Sequence, residues 1–435
     1  MKRWFYDFGF FIFALLSLPR FFGKLKQAES PSRLLRERFG IFSKDLPSQI
    51  GTGACLWVHA VSVGEVMAVE KFLHLLLERN PDLHVLLTTV TPTGQRIAKP
   101  WESPRLRVLY FPFDFQFSVA RFFQTFKPAA LLLVETEIWP NVIEEAKKRG
   151  VPVGIVNGRI SERSFRAFRF FSGIFRPFLE SVRFFLVQTS ADRERLLALG
   201  VPSERVQVTG NMKLDALDLN GSRRTDPSRL GEAWGFSPGE LVLVGGSTHP
   251  GEEKILLRAL RKLRGEGLPL KLLLAPRHIE RSGSLLKEAR REGFQTVLAS
   301  AGNHSAFEVL ILDKLGELRK LYPAADAVFM GGSLVRHGGQ NPVEAAAFRR
   351  PVIHGPWVFN FKEIYRRLDE EGASLNVQSE EELSFILKRI LVNEQERKNL
   401  GDRAFEVLKK MRGATQRNLE EIEQRILTHE TAHRV

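Results

Sequence analysis

The stretch LWVHAVSVGEVMAVEKFLHLLLERNPDLHVLLTTV, residues 56–90, decides the fold class. It opens with the apolar run Leu56–Val63, continues as a helical pattern over Gly64–Arg79, and closes with a second apolar run, His84–Val90. Runs apolar on both faces read as buried parallel strands, and a helix between two of them makes a β-α-β unit. Working outward, the pattern repeats at Leu106–Phe113, Ala129–Val134, Val153–Val156, Phe184–Gln188 and Val206–Thr209. After a gap it resumes at Leu241–Gly245, Leu270–Ala275, Gln295–Leu298, Val309–Leu312, Ala327–Met330 and Pro351–His354, with helical patterns such as Trp139–Arg149 and Ala191–Leu199 in between. This alternation specifies doubly wound parallel sheets. About thirteen strands exceed one such sheet, and the gap at Asp218–Gly239 has the Asp, Ser, Arg, Gly and Pro content of a linker. The chain therefore reads as α/β with two Rossmann-like domains, 26–217 and 240–405, joined by a linker over 218–239. A separate N-terminal segment, 1–25, precedes them and a C-terminal helix, 406–435, follows. Open α/β sheets bind ligands at the carboxyl ends of their strands, and two such domains facing each other are expected to form a cleft.

Composition narrows the partners. With 43% apolar and 26% charged residues the chain is not disordered, and one cysteine, Cys55, excludes a disulfide framework and a Cys-rich metal site. A lone cysteine also fits a reducing compartment. The 64 Lys+Arg against 50 Asp+Glu leave +14, which calls for an anionic partner. Much of that surplus sits in two places. Residues 1–40 hold Lys2, Arg3, Arg20, Lys24, Lys26, Arg33, Arg36 and Arg38 against Asp7, Glu29 and Glu37. Inside that frame lies FGFFIFALLSL, residues 8–18. A spanning helix needs about 20 apolar residues, a length that Trp4–Phe22 reaches only by including Asp7 and Arg20. A short span and an interfacial anchor both fit. A cleaved leader fits less well, because no small-x-small site follows the run.

The second concentration is Arg159, Arg163, Arg166, Arg169 and Arg176, interleaved with Phe165, Phe168, Phe170, Phe171 and Phe175, with Phe178 nearby and Glu162 the only acid. Arginine suits headgroup phosphates and phenylalanine the acyl boundary. With 34 Phe and only 4 Tyr, and the excess charge so placed, a membrane surface is favoured and nucleic acid is not expected as a partner.

The strand ends carry the chemistry. After Leu56–Val61 come Ser62, Val63, Gly64 and Glu65; a carboxylate there can serve as general base, although an acid in a first helical turn also suits the helix dipole. Thr88–Gly94 offers hydroxyls and backbone N–H groups to an anion or a sugar, or simply caps a helix. Glu135 and Glu137 directly follow a buried strand, a costly place unless solvated, paired or used. In the second domain small-residue loops follow the strands at Gly246–Glu253, Pro276–His278 and Gly331–Ser333. Then Gly338–Glu344 opens a helix, where glycines let backbone approach a phosphate and Glu344 can accept both hydroxyls of a ribose. The pattern is neither GxGxxG nor a P-loop. HETAH, residues 429–433, matches the zinc-protease pattern, but no third ligand follows it in the chain, and the other histidines show no metal spacing. No G-x-S-x-G elbow is present.

Taken together and in order, HAVSVGE (59–65), TTVTPTG (88–94), ETEIWPN (135–141), NGRISERS (157–164), GNMK (210–213), APRH (275–278), GEL (316–318) and GGQNPVE (338–344) resemble the motif series of the Kdo (3-deoxy-D-manno-octulosonic acid) transferases of lipopolysaccharide assembly. The resemblance runs from about Glu37 to beyond Asn360. It departs at Gly158, where the family usually has Ala, and at Gln340, where it often has His; neither position is assigned chemistry. The resemblance implies a GT-B glycosyltransferase with CMP-Kdo as donor and a lipid A precursor as acceptor, inverting at the anomeric carbon. Glu65 matches the family's proton acceptor. Pro276, Arg277, Gly316, Glu317, Leu318, Asn341, Pro342, Val343 and Glu344 match its CMP-binding segments. Glu137, Arg159, Arg163 and Lys213 are candidates for acceptor or donor-sugar contacts. No cofactor or metal is implied, since helix and loop amides can stabilise the single phosphate of CMP. The implied location is the cytoplasmic face of the inner membrane. Two rivals stay in view: another GT-B enzyme acting on a UDP-sugar, and a non-catalytic basic membrane-binding protein, which explains the charge but not the ordered motifs.

Overall fold

The computed structural model describes residues 23, 28–43, 45–46, 54–216, 234–302 and 307–427. The expected N-terminal anchor (apart from Gly23), most of the linker and the HETAH stretch lie outside the described residues. Among the described residues no helix is long and apolar enough to cross a membrane. The chain divides into two compact units, 1–216 with 412–435 and 217–411.

Unit 1 begins with α1 (Pro31–Arg38) and then alternates β1 (Cys55–His59), α2 (Val63–Arg79), β2 (His84–Thr89), α3 (Pro92–Ala98), β3 (Leu106–Tyr110), α4 (Gln116–Phe126), β4 (Ala130–Val134) and α5 (Pro140–Lys148). It continues with β5 (Val153–Gly158), α6 (Glu162–Phe170), α7 (Ser172–Ser181), β6 (Phe184–Val187), α8 (Ser190–Ala198) and β7 (Val206–Val208). The strands form one parallel sheet in the order β3-β2-β1-β4-β5-β6-β7. Strands buried along their whole length, such as β1 and β4, need apolar cover on both faces. On one face α2 supplies Val66, Val69, Phe72, Leu73 and Leu76. On the other, Trp57 stacks on Phe122 of α4 at 4.1 Å between ring centroids.

The C-terminal segment completes this unit. The sequence suggests a single helix over 406–435; instead one helix ends at Met411 and another runs Ala414–Ile422. The break is at Gly413, whose φ of +88° suits glycine. Asp215 holds the new start, accepting the N–H groups of Gly413 (2.7 Å) and Thr415 (2.6 Å). Leu419, Ile422 and Ile426 then enter the same core as α2.

Unit 2 runs β8 (Leu241–Thr248), α9 (Glu252–Gly265), β9 (Leu270–Pro276), α10 (Ser282–Arg291), β10 (Thr296–Leu298), β11 (Val309–Ile311), α11 (Leu318–Leu321), β12 (Ala327–Met330) and α12 (Val343–Ala347). It ends with β13 (Val352–His354), α13 (Lys362–Glu370), β14 (Ser374–Asn376), α14 (Glu380–Val392) and α15 (Glu394–Met411). Its parallel sheet is ordered β10-β11-β9-β8-β12-β13-β14.

Candidate functional site

Strand order reverses beside the first strand of each sheet. Neighbouring parallel strands there send their connections to opposite faces, which opens a crevice at their carboxyl ends. In unit 1 that place lies between β1 and β4. Glu65 stands in the first turn of α2, 6% exposed. Its Oε2 accepts the Val61 N–H at 2.7 Å and its Oε1 the Ser62 hydroxyl at 2.8 Å. Burial raises its pKa, opposed by those two donors, with Glu135 pushing the same way as burial and Lys213 against it.

From β4 come Glu135 and Glu137. Glu135 has φ +60°, a left-handed conformation that costs a non-glycine residue roughly 1–2 kcal/mol. Its carboxylate meets Lys213 Nζ at 2.6 Å. Lys213 is carried on the turn Met212–Leu214 after β7. Asn157, also left-handed at φ +52°, accepts the Met212 N–H at 3.0 Å and so ties that turn to the end of β5. A Cβ on Gly64 would lie 3.7 Å from Lys213 Nζ, so the ammonium reaches the start of α2. Glu65 and Glu135 each have donors, whereas Glu137 has no hydrogen-bond or ion-pair partner among the described residues. Burial, then Glu65, then Glu135 push Glu137 up to about 7.

The structure thus brings Glu65, Glu137 and Lys213 together. Arg159 stands beside them at the end of β5, its backbone exchanging hydrogen bonds with the Thr136 hydroxyl at 2.6 and 3.1 Å. Arg163 lies further out, on the exposed α6. His59, at the end of β1, is fully buried, stacked on Phe111 at 3.6 Å and pushed down to about 3 by burial, so it stays neutral.

In unit 2 the reversal lies between β8 and β12. The ends of these strands approach as closely as glycine allows: a Cβ on Gly331 would sit 2.3 Å from the Ser247 carbonyl oxygen. Glu252, at the start of α9, is fully buried and accepts the N–H groups of His249 (2.9 Å), Gly332 (2.7 Å), Ser333 and Leu334 (both 3.0 Å). That carboxylate fixes the glycine loop after β12. His249 stacks on His337 at 4.3 Å and lies 6.1 Å from His278, with Gln340 Nε2 at 3.1 Å from its Nε2. Burial, then His337, His278, Arg277 and Arg281, push His249 down to about 4. Arg281 is paired with the buried Glu253 at 2.9 Å, so of the two guanidinium groups Arg277, which is exposed, is the one open to an anion.

The expected nucleotide segments follow β9, β11 and β12. Pro276 ends β9, and the Arg277 N–H donates to the Thr248 carbonyl at 2.9 Å while its side chain stays exposed. Gly316 has φ +80°, and Glu317 precedes α11, which starts at Leu318. Asn341 Oδ1 accepts the Val343 N–H at 3.2 Å as the chain passes Pro342 into α12. Glu344 is half-buried; burial raises its pKa and Arg319 lowers it, which places the α11 and α12 segments side by side. Among the described residues no three His, Cys, Asp or Glu side chains are grouped to hold a metal ion.

Sequence reasoning missed four features. Glu135 was visible in ETEIWPN, but its partner lies 78 residues away. His249, His278 and His337 converge from three loops that share no spacing. Glu252 showed only as part of the small-residue loop Gly246–Glu253. Ser62 showed only as a small residue before a helix.

Two doubly wound parallel units of this kind define the GT-B class. Solved structures agree on the fold: a glycosyltransferase from Rickettsia africae superposes with TM-score 0.59 at 12% identity, over 86% of this chain and 98% of that one. UDP-GlcNAc 2-epimerase from Neisseria meningitidis gives 0.58 at 12%, over 85% and 100%. Sequence comparison is more specific. The family model described as 3-deoxy-D-manno-octulosonic-acid transferase (kdotransferase) matches residues 33–216. The 3-deoxy-D-manno-octulosonic acid transferase of Haemophilus influenzae is 34% identical over 394 residues, 89% of this chain and 90% of the relative. That of Bordetella pertussis is 33% identical over 398 residues, again 89% and 90%. The chain belongs to the 3-deoxy-D-manno-octulosonic acid transferase family.

Proposed function

We propose that the chain transfers Kdo from CMP-Kdo to a lipid A precursor, the tetraacyl disaccharide bisphosphate lipid IVA, with inversion, at the cytoplasmic face of the inner membrane. The observation that carries this reading is the Glu65 carboxylate, held by two donors at the strand reversal of a chain whose relatives are Kdo transferases. Glu65 takes the proton of an acceptor sugar hydroxyl as that oxygen attacks the anomeric carbon of Kdo. A carbon–oxygen bond forms to the acceptor, the bond to the CMP phosphate breaks, and CMP leaves with the electron pair. A single displacement of this kind inverts configuration. Lys213, beside Glu135, offers a positive charge to the anionic sugar. Glu137, Arg159 and Arg163 are assigned to sugar or acceptor contacts.

In unit 2, Pro276, Arg277, Gly316–Leu318 and Asn341–Glu344 hold CMP, Glu344 accepting the ribose hydroxyls, and the His249 group faces the phosphate. The lipid comes to α6 and α7. No residue of α6 is buried, Phe170 is 82% exposed, and Arg163 and Arg169 have no ion-pair partner among the described residues. Residues 1–25 supply a further anchor.

Incubation of the protein with lipid IVA and either CMP-Kdo or UDP-GlcNAc tests the assignment. Transfer from CMP-Kdo, with NMR of the product showing the opposite anomeric configuration to the donor, is expected. Turnover with UDP-GlcNAc alone sinks it.

A further inference from the structure

Among the described residues of unit 1, the α6–α7 surface is not the sole aromatic and basic one. Another is built from segments far apart in sequence: Phe39 follows α1, while Phe113, Phe115 and Phe117 follow β3 and enter α4. Ring centroids lie 5.2 Å apart for Phe39–Phe113, 6.3 Å for Phe39–Phe117 and 5.6 Å for Phe115–Phe117. The Arg38 guanidinium sits 5.1 Å over Phe113 and that of Arg121 5.7 Å over Phe117. The two segments are fastened by the Phe113 N–H donating to the Arg38 carbonyl at 2.7 Å. At Gly40, φ +70°, a Cβ would fall 2.7 Å from the Ser118 carbonyl oxygen, so the end of α1 and the start of α4 meet as only glycine permits.

This cluster is on the surface. Phe39 is 37%, Ile41 45% and Phe117 48% exposed, and Arg36 and Arg121 are exposed with them. The acids of the same segments are turned inward. Glu37 is buried, paired with Arg33 and accepting the Tyr110 N–H at 2.7 Å. Asp114 is buried and accepts the N–H groups of Asn141 and Val142. Among the described residues at 36–41 and 113–121, those most open to water are therefore apolar and cationic: Phe39, Ile41 and Phe117 with Arg36 and Arg121. The cluster leaves the carboxyl end of β3, and α6 leaves the carboxyl end of β5. In strand order β1 and β4, with Glu65 and Glu135, lie between them on the same edge of a parallel sheet.

We propose that the exposed side of this cluster, Phe39, Ile41 and Phe117 backed by Phe113 and Phe115, is a second membrane-contact surface, seated in the interfacial zone of an anionic bilayer, with the exposed side chains at the acyl boundary and Arg36 and Arg121 at headgroup phosphates. Phenylalanine framed by arginine is the composition that this zone selects. Contact on both sides of Glu65 fixes how the sheet edge meets the lipid, which one patch alone leaves free to tilt. The proposal rests on the lipid-acceptor reading above.

The test uses the full chain with vesicles of phosphatidylethanolamine and phosphatidylglycerol. Phe117→Cys carries an environment-sensitive thiol dye; native Cys55 does not compete, being buried with its thiol pushed up to about 12. A blue shift of the dye on these vesicles is expected. Phe39→Ser with Phe117→Ser should weaken vesicle partitioning about tenfold, the effect of withdrawing two half-exposed rings, with turnover on detergent-dispersed acceptor unchanged. Three results overturn the surface: no dye shift while the protein sediments with vesicles, unchanged partitioning of the double variant, or a shift that grows with protein concentration in the absence of vesicles, which assigns the cluster to a second copy. The acceptor reading fails separately, through absent turnover of the parent protein on dispersed lipid IVA.

Discussion

Unit 1 and unit 2 place a reversal of strand order beside their first strand, β1 in one and β8 in the other, yet they fill the same edge with opposite chemistry. Unit 1 gathers Glu65, Glu135 and Glu137 around one lysine. Unit 2 gathers three imidazoles, two guanidinium groups and a glycine loop, and of the two buried acids among its described residues Glu252 accepts backbone N–H groups while Glu253 pairs with Arg281 at 2.9 Å. The scaffold decides where a ligand binds and the loops decide which. An edge rich in carboxylates suits proton removal from a hydroxyl; an edge of guanidinium and imidazole groups beside a glycine loop offers hydrogen-bond donors to an anion such as a nucleotide phosphate.

Breaking the contrast at its strongest point, Glu65→Ala is expected to lower turnover about 10³-fold, as for loss of a general base, with CMP affinity unchanged by calorimetry. Near-normal turnover would show that the carboxylate edge does no proton transfer. On the other unit, Glu344→Ala is expected to raise the donor KM about tenfold, the loss of hydrogen bonds to a charged acceptor, with kcat little changed; an effect on kcat alone would move Glu344 from binding to chemistry.

The smallest effect sharpens the comparison within unit 1. Glu137 is pushed up to about 7, above the ordinary carboxylate value of 4.5. Between those values the native state holds a proton that the unfolded chain releases, so this group's contribution makes the protein less stable as pH rises from about 4.5 to about 7. Glu137→Gln removes that dependence. The variant is expected to melt higher than the parent at pH 8, by the equivalent of about 1–2 kcal/mol, and to differ least near pH 4.5. Its rate profile should also lose an inflection near pH 7. Parallel melting curves of the two proteins from pH 5 to pH 8 would refute the buried, proton-holding carboxyl.

Much of the sheet was legible because buried parallel strands are continuous apolar runs. Ala129–Val134 became β4 with one residue trimmed, and the helical pattern at Gly64–Arg79 became α2 from Val63. The run Leu56–Val63 proved shorter as a strand, since Ser62 already caps the helix. β14, three residues with only Ser374 buried, gave no run to find. The candidate site was legible where its residues form a continuous string at a strand end, as in HAVSVGE (59–65) and GGQNPVE (338–344), whose assigned roles rest on the predictions above. It was illegible where geometry depends on a backbone that sequence does not advertise. The left-handed Glu135 and Asn157 aim their side chains toward the Lys213 turn, and nothing in the composition marks a glutamate for that conformation. The histidine group likewise exists only once β8, β9 and β12 are laid side by side.

The return of the chain to unit 1 has a consequence for how the protein is made. The sheet of unit 1 is complete by β7, but Leu419, Ile422 and Ile426, which cover α2, are translated about 200 residues later, after the whole of unit 2. At about 5–20 residues per second, the nascent first unit waits on the order of 10–40 s with an apolar face uncovered, while the second unit, contiguous in sequence, can close as soon as it emerges. Order of synthesis and order of completion are therefore reversed, and the interval is when a chaperone has most to do.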